Sequence, residues 1–127
     1  MIAGVGLDLV DIARVQRLVA AKGERAMRRL FTKGESAYAA GRQRPFLHLA
    51  ARVAAKEAAF KALSAAEGAR GIGWREMEVV ARAGRAPELV LHGHAAACAK
   101  SLGVTRVHLT LSHSETTAGA VVILERG

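Results

Sequence analysis

"RVAAKEAAFKAL", Arg52 to Leu63, is the stretch from which the rest of the chain can be read. Alanine is the strongest helix former, and neither glycine nor proline interrupts the run. At about 100° per residue, Leu49, Val53, Phe60 and Leu63 fall on a bulky stripe. Ala51, Ala54, Ala55, Ala58, Ala59 and Ala62 form a smooth face that permits close approach of a neighbouring element. Glu57 and Lys61 stand one turn apart between the two faces, a position that predicts partial burial. Arg52 and Lys56 lie on the other flank of the bulky stripe. From the helix alone, Glu57 and Lys61 are an ordinary solvated pair worth a few tenths of a kcal/mol.

The N-terminal stretch changes that balance. Residues Ile2 to Val10 alternate, with Ala3, Val5, Leu7 and Leu9 on one side and Ile2, Gly4, Gly6 and Asp8 on the other, and read as a buried strand. The two glycines clear room on the face that carries Asp8. Asp11 caps a helix to about Lys22, whose apolar stripe is Ile12, Val15, Leu18 and Val19. Further helical segments start at Glu24 and, with Thr32 as cap, after Phe31. Pro45 marks a break before the alanine helix, expected from about Phe46 to Ala66.

A glycine-rich loop, "EGARGIG", follows. "MEVVARA" and "LVLHG" predict two strands joined as a hairpin through "GRAPE". A helix from His94 to Leu102 stops at Gly103, and "VTRVHLTLSH" and "AGAVVILE" give the last two strands. No repeat or linker divides the chain. The reading is one domain, residues 1–127, of α+β class, with a small, mostly antiparallel sheet packed against helices.

Nineteen Lys and Arg against eleven Asp and Glu give a formal charge of +8, a field that favours polyanions. Nucleic acid is the common partner of a small basic chain. Aromatics are only 4% of this one, however, and no stacking motif or zinc-finger spacing is present. No apolar run is long enough to cross a bilayer, so a membrane is not expected as a partner. Cys98 is the only cysteine, which rules out an intrachain disulfide and fits a reducing cytoplasm.

"GVGL" lacks the third glycine of a dinucleotide fingerprint, and there is no G-x-x-x-x-G-K-S/T phosphate loop. A phosphate site here has to be built from side chains and metal. Asp8 and Glu57 make a suitable pair for Mg²⁺, which takes one or two carboxylates and fills its shell with water and phosphate oxygens. Lys56 and Lys61 would face the remaining phosphate charge. His92, His94 and Cys98 have zinc-type donors, but no fourth ligand is evident. His48, His108, Met27, Met77 and Trp74 read as structural residues.

Three motifs now stand in order: "GVGLDLVDIARV", "ARVAAKEAAFKAL" and "LTLSHSETTAGAVVILE". In order, spacing and total length they resemble the small holo-acyl-carrier-protein synthases, of the 4′-phosphopantetheinyl transferase fold. The resemblance implies transfer of 4′-phosphopantetheine from coenzyme A to a serine of an apo acyl carrier protein, with Mg²⁺ as cofactor. Adenosine 3′,5′-bisphosphate would be released, in support of fatty-acid or polyketide synthesis. It also implies Asp8 and Glu57 as metal ligands, and Lys56 and Lys61 near the diphosphate. Arg52 and His113 would line the coenzyme A site, with Glu57, Lys61 and His113 catalytic. The serine's proton would go to Glu57 or to a water at the metal, and Lys61 would neutralise the departing phosphate.

Arg14, with Arg17 one turn further on, would grip an acidic helix of the carrier protein. A homotrimer with sites between subunits is implied as well. Two departures from the family pattern stand out: Thr117 where an aromatic is usual, and a turn, Gly84 to Pro87, one residue longer than the family's.

Overall fold

A computed structural model describes all of residues 1–127. Strand β1 (Ile2–Asp11) leads into helices α1 (Ile12–Lys22), α2 (Glu24–Leu30), α3 (Lys33–Ala40) and α4 (Pro45–Leu63). Two short 3-10 turns, Ala69–Gly71 and Trp74–Glu76, precede strands β2 (Met77–Val80) and β3 (Glu88–Leu91). Helix α5 (Gly93–Ser101) and strands β4 (Val104–His113) and β5 (Thr117–Arg126) complete the chain. The strands form an antiparallel sheet in the order β1-β5-β4 and a separate antiparallel hairpin, β2-β3. The α+β class, with a small antiparallel sheet packed on helices, is the architecture found.

The alanines and glycines explain how α4 and β1 meet. A Cβ on Gly4 would collide with the carbonyl oxygen of Ala62, and one on Gly6 with that of Ala58. Strand backbone therefore rests directly on helix backbone. The two stay in step because two strand residues advance about 6.6 Å and four helical residues about 6 Å. Ala58, Ala59 and Ala62 are all buried. Asp8, the next residue on the glycine face, is thereby carried to the turn of α4 that bears Glu57.

Several local expectations are corrected. The glycine side of β1 is the packed side; Val5, Leu7 and Leu9, on the bulky side, are 55%, 58% and 68% exposed. Alternation identifies two faces but not which one the rest of the chain covers. Phe60 is also exposed, so the bulky stripe of α4 is buried only at Leu49, Val53 and Leu63. Helix α4 ends at Leu63 rather than Ala66, where Ser64 bonds back to the Lys61 carbonyl. Asp11 ends β1 and precedes α1 without a side-chain capping bond, whereas Thr32 and Glu35 form a complete capping box on α3.

Candidate active site

The charged edge of α4 meets β1 at a compact cluster. Lys61 Nζ donates to Asp8 Oδ1 at 2.9 Å and to the Leu7 carbonyl at 3.0 Å. Its side chain points toward the helix N-terminus, as helical side chains do. Arg14 of α1 reaches Glu57 Oε1 at 3.6 Å. Asp8 Oδ2 is buried and, with Glu57 ionised, has no hydrogen-bond partner.

Burial pushes both carboxyls up, but their neighbours separate them. For Asp8, the protonatable Glu57 carboxyl and the Lys61 ammonium outweigh burial and hold it below the ordinary value. For Glu57, burial and the adjacent Asp8 together outweigh Arg14 and Lys61, and its carboxyl is raised to about 7. Two carboxyls in one site cannot both ionise freely. The orphaned Asp8 oxygen and the adjacent Glu57 fit a hard cation that takes two carboxylates and completes its shell from water and phosphate. No three His, Cys, Asp or Glu side chains gather as a metal-binding group.

The Glu57 shift has a consequence for stability. Between about pH 4.5 and 7 the folded chain keeps a proton that the unfolded chain has lost, so raising the pH through this window removes stability. His48, lowered by burial and by Arg52, acts in the opposite sense as it deprotonates. The difference between wild type and Glu57→Gln isolates the carboxyl. In chelator, the melting temperature of wild type relative to Glu57→Gln should fall from about pH 5 to 7.5. A flat difference would contradict the shift.

A cleft of about 320 Å³ opens beside Glu57 and Lys61, walled by Lys56, Phe60, Ile72, Trp74 and Met77. His113 and Arg52 line a different cleft, of about 580 Å³, together with Arg42, Arg82 and Arg85. Arg52 is almost wholly buried, with its guanidinium 4.2 Å from the Tyr38 ring centre and its Nε unpartnered. Arg42 stands at the same distance from that ring. The register explains the separation: Asp8 pairs with Ala120, Ala118 pairs with His113, and β5 lies between β1 and β4. Edge strands of a three-stranded sheet are about 10 Å apart. Within one chain, then, Asp8, Glu57 and Lys61 come together, and His113 and Arg52 stand elsewhere.

Lys56 departs from the expectation that it faces a diphosphate. Its side chain has no exposure, and Nζ meets Glu35 Oε1 at 2.8 Å, the Trp74 carbonyl at 2.9 Å and the Met77 carbonyl at 2.6 Å. All three of its protons are used inside the protein. The zinc-type trio is not assembled either: His92 Nε2 lies 2.9 Å from Glu78, and His94 Nε2 lies 2.6 Å from the Gly68 carbonyl. Arg17 is exposed and makes no ion pair. Sequence reasoning missed Glu35, Tyr38 and Arg42. For Glu35 a signal existed, since Thr32-x-x-Glu35 is a capping-box spacing.

A family model described as the 4′-phosphopantetheinyl transferase superfamily matches residues 4–120. The chain belongs to that superfamily. A holo-acyl-carrier-protein synthase of Anaeromyxobacter dehalogenans is 52% identical, over 98% of this chain and 97% of the relative. That likeness puts the chain among the holo-acyl-carrier-protein synthases, a family of transferase enzymes. The crystal structure of the Neisseria meningitidis synthase superimposes with a TM-score of 0.83 at 30% identity, covering 99% of this chain and all of that one. A Bacillus anthracis synthase, described in complex with CoA (3′,5′-ADP), gives 0.79 at 29% identity, with 100% and 99% coverage. The phosphopantetheinyl transferase frame thus extends along the whole chain. No helix is long and apolar enough to cross a membrane.

Proposed function

We propose that the protein transfers 4′-phosphopantetheine from coenzyme A to a serine of an apo acyl carrier protein in the cytoplasm, with Mg²⁺, releasing adenosine 3′,5′-bisphosphate. The observation that carries this reading is the Asp8–Glu57–Lys61 cluster, with its buried, unpartnered carboxylate oxygen. A Mg²⁺ held by Asp8 and Glu57 would neutralise diphosphate charge and orient its oxygens. Lys61 brings a cation to the same rim, where negative charge develops on the departing phosphate. The serine's proton would go to Glu57 or to a water at the metal. The serine oxygen forms a bond to the pantetheine-bearing phosphorus as the diphosphate bridge on its nucleotide side breaks.

His113 and Arg52 serve the nucleotide end of coenzyme A, in a cleft whose other arginines suit phosphate. Because that cleft lies apart from Asp8 and Glu57 in one chain, the complete site forms between copies. The exposed apolar row Val5, Leu7 and Leu9 is the face on which copies would associate, as a homotrimer. Arg14, at the rim, and the exposed Arg17 would receive an acidic helix of the carrier. A groove of about 790 Å³ beyond them, with Lys22, Arg25, Arg28 and Arg29, extends the basic surface.

Incubation with coenzyme A, Mg²⁺ and an apo carrier tests the reading by its small product. Adenosine 3′,5′-bisphosphate should appear only when carrier is present and should cease with chelator. Release without carrier would replace transfer by hydrolysis.

A further inference from the structure

We propose that Glu35 is a positioning residue for the reaction: through Lys56 it clamps the Trp74–Met77 segment against α4 and so fixes the wall of the cleft beside Glu57. The inference rests on the function proposed above and adds to it a residue 22 positions from Glu57 in sequence.

Glu35 is 1% exposed and Lys56 is not exposed at all. Glu35 Oε1 accepts from the Thr32 amide at 3.0 Å and meets Lys56 Nζ at 2.8 Å, while Oε2 accepts from the Val79 amide at 2.8 Å. One carboxylate therefore joins the start of α3, the middle of α4 and strand β2. Lys56 uses its two remaining protons on the Trp74 and Met77 carbonyls. Both carbonyls belong to residues that wall the cleft containing Glu57 and Lys61.

Such a pair is not the cheapest way to fill a core. Two charges taken from water are often replaced by apolar residues without loss of stability. What apolar residues cannot do is grip two particular carbonyls and an amide in fixed positions. The network is also fully satisfied, which is what makes a buried polar cluster rigid. Lys56 precedes Glu57 directly, so the same helical turn that holds the loop presents the reacting carboxyl. A contact between the Lys56 ammonium and coenzyme A phosphate would need this network to be undone.

The test uses the full chain and two variants, Glu35→Asp and the double variant Glu35→Leu/Lys56→Met. The aspartate keeps the charge but is one methylene too short to span Thr32, Val79 and Lys56. The double variant removes both charges together. Trp74, the sole tryptophan, reports the clamp directly. The expected result for each folded variant is a red-shifted Trp74 emission and a kcat lowered about 10- to 100-fold, the range seen when supporting residues are lost. KM for coenzyme A should stay within about twofold.

Unchanged kcat and emission in Glu35→Asp would overturn the proposal, even if the double variant failed to fold. A raised KM for coenzyme A with kcat intact would also overturn it, because Lys56 would then be a substrate ligand. An inactive wild type would instead defeat the proposed function, and the Trp74 emission would still decide whether the clamp exists.

Discussion

Glu57→Ala lowers the rate of carrier modification by about 10³-fold, within the range expected for a positioned acid–base group, while the chain remains folded. The two effects separate because the carboxyl contributes little to stability. Its ion pair with Arg14 is long, at 3.6 Å, and Arg14 is exposed, so that pair is worth little. Alanine at this position joins a helix already rich in alanine and gains propensity. Above pH 7 the ionised carboxyl, pressed against Asp8, is a source of destabilisation that the substitution removes. In chelator the melting temperature at pH 8 should therefore stay level or rise, while activity measured with Mg²⁺ disappears. Activity near wild type in a folded Glu57→Ala protein would remove the residue from the chemistry.

Mixing two inactive variants should restore activity. At limiting coenzyme A, His113→Ala is expected to lose about 10²-fold through a lost contact to charged phosphate, and Glu57→Ala more, each because it spoils one half of a site. Asp8, Glu57 and Lys61 gather where β1 meets α4, whereas His113 lies at the end of β4, in the cleft with Arg52. If a site is completed between neighbours, a hybrid assembly contains junctions at which an intact Glu57 faces an intact His113. With equal, random mixing that requires two independent choices, so about a quarter of junctions are whole. Co-expression of the two variants should give about a quarter of wild-type activity per site. A mixture no more active than its parents would place both halves of the site in one chain.

Much of the site was legible in the sequence because it depends on short-range spacing. The two glycines before Asp8 mark a strand that lies unusually close to something, and the smooth face of α4 provides the matching surface. Glu57 and Lys61, one turn apart at the edge of that face, follow from helical geometry. The burial of Lys56 was not legible because helical angle places a side chain relative to its own helix only. Whether that direction leads to solvent or to Glu35 depends on where α3 packs. The exposure of Val5, Leu7 and Leu9 was hidden for a related reason: an apolar row looks the same whether or not the rest of its own chain covers it. Phe60 was misjudged in the same way. The basic cleft joins Arg42 and Arg52, on either side of the start of α4, to Arg82 in the turn after β2, and no local pattern announces it.

The proposed reaction moves phosphopantetheine onto a carrier serine. Intact-mass spectrometry of a purified apo acyl carrier protein, after incubation with the protein, coenzyme A and Mg²⁺, tests it most directly. The carrier should gain one phosphopantetheine group, and the gain should be abolished by chelator or by replacing the acceptor serine. An unchanged carrier mass, with the protein folded and coenzyme A in excess, would contradict it.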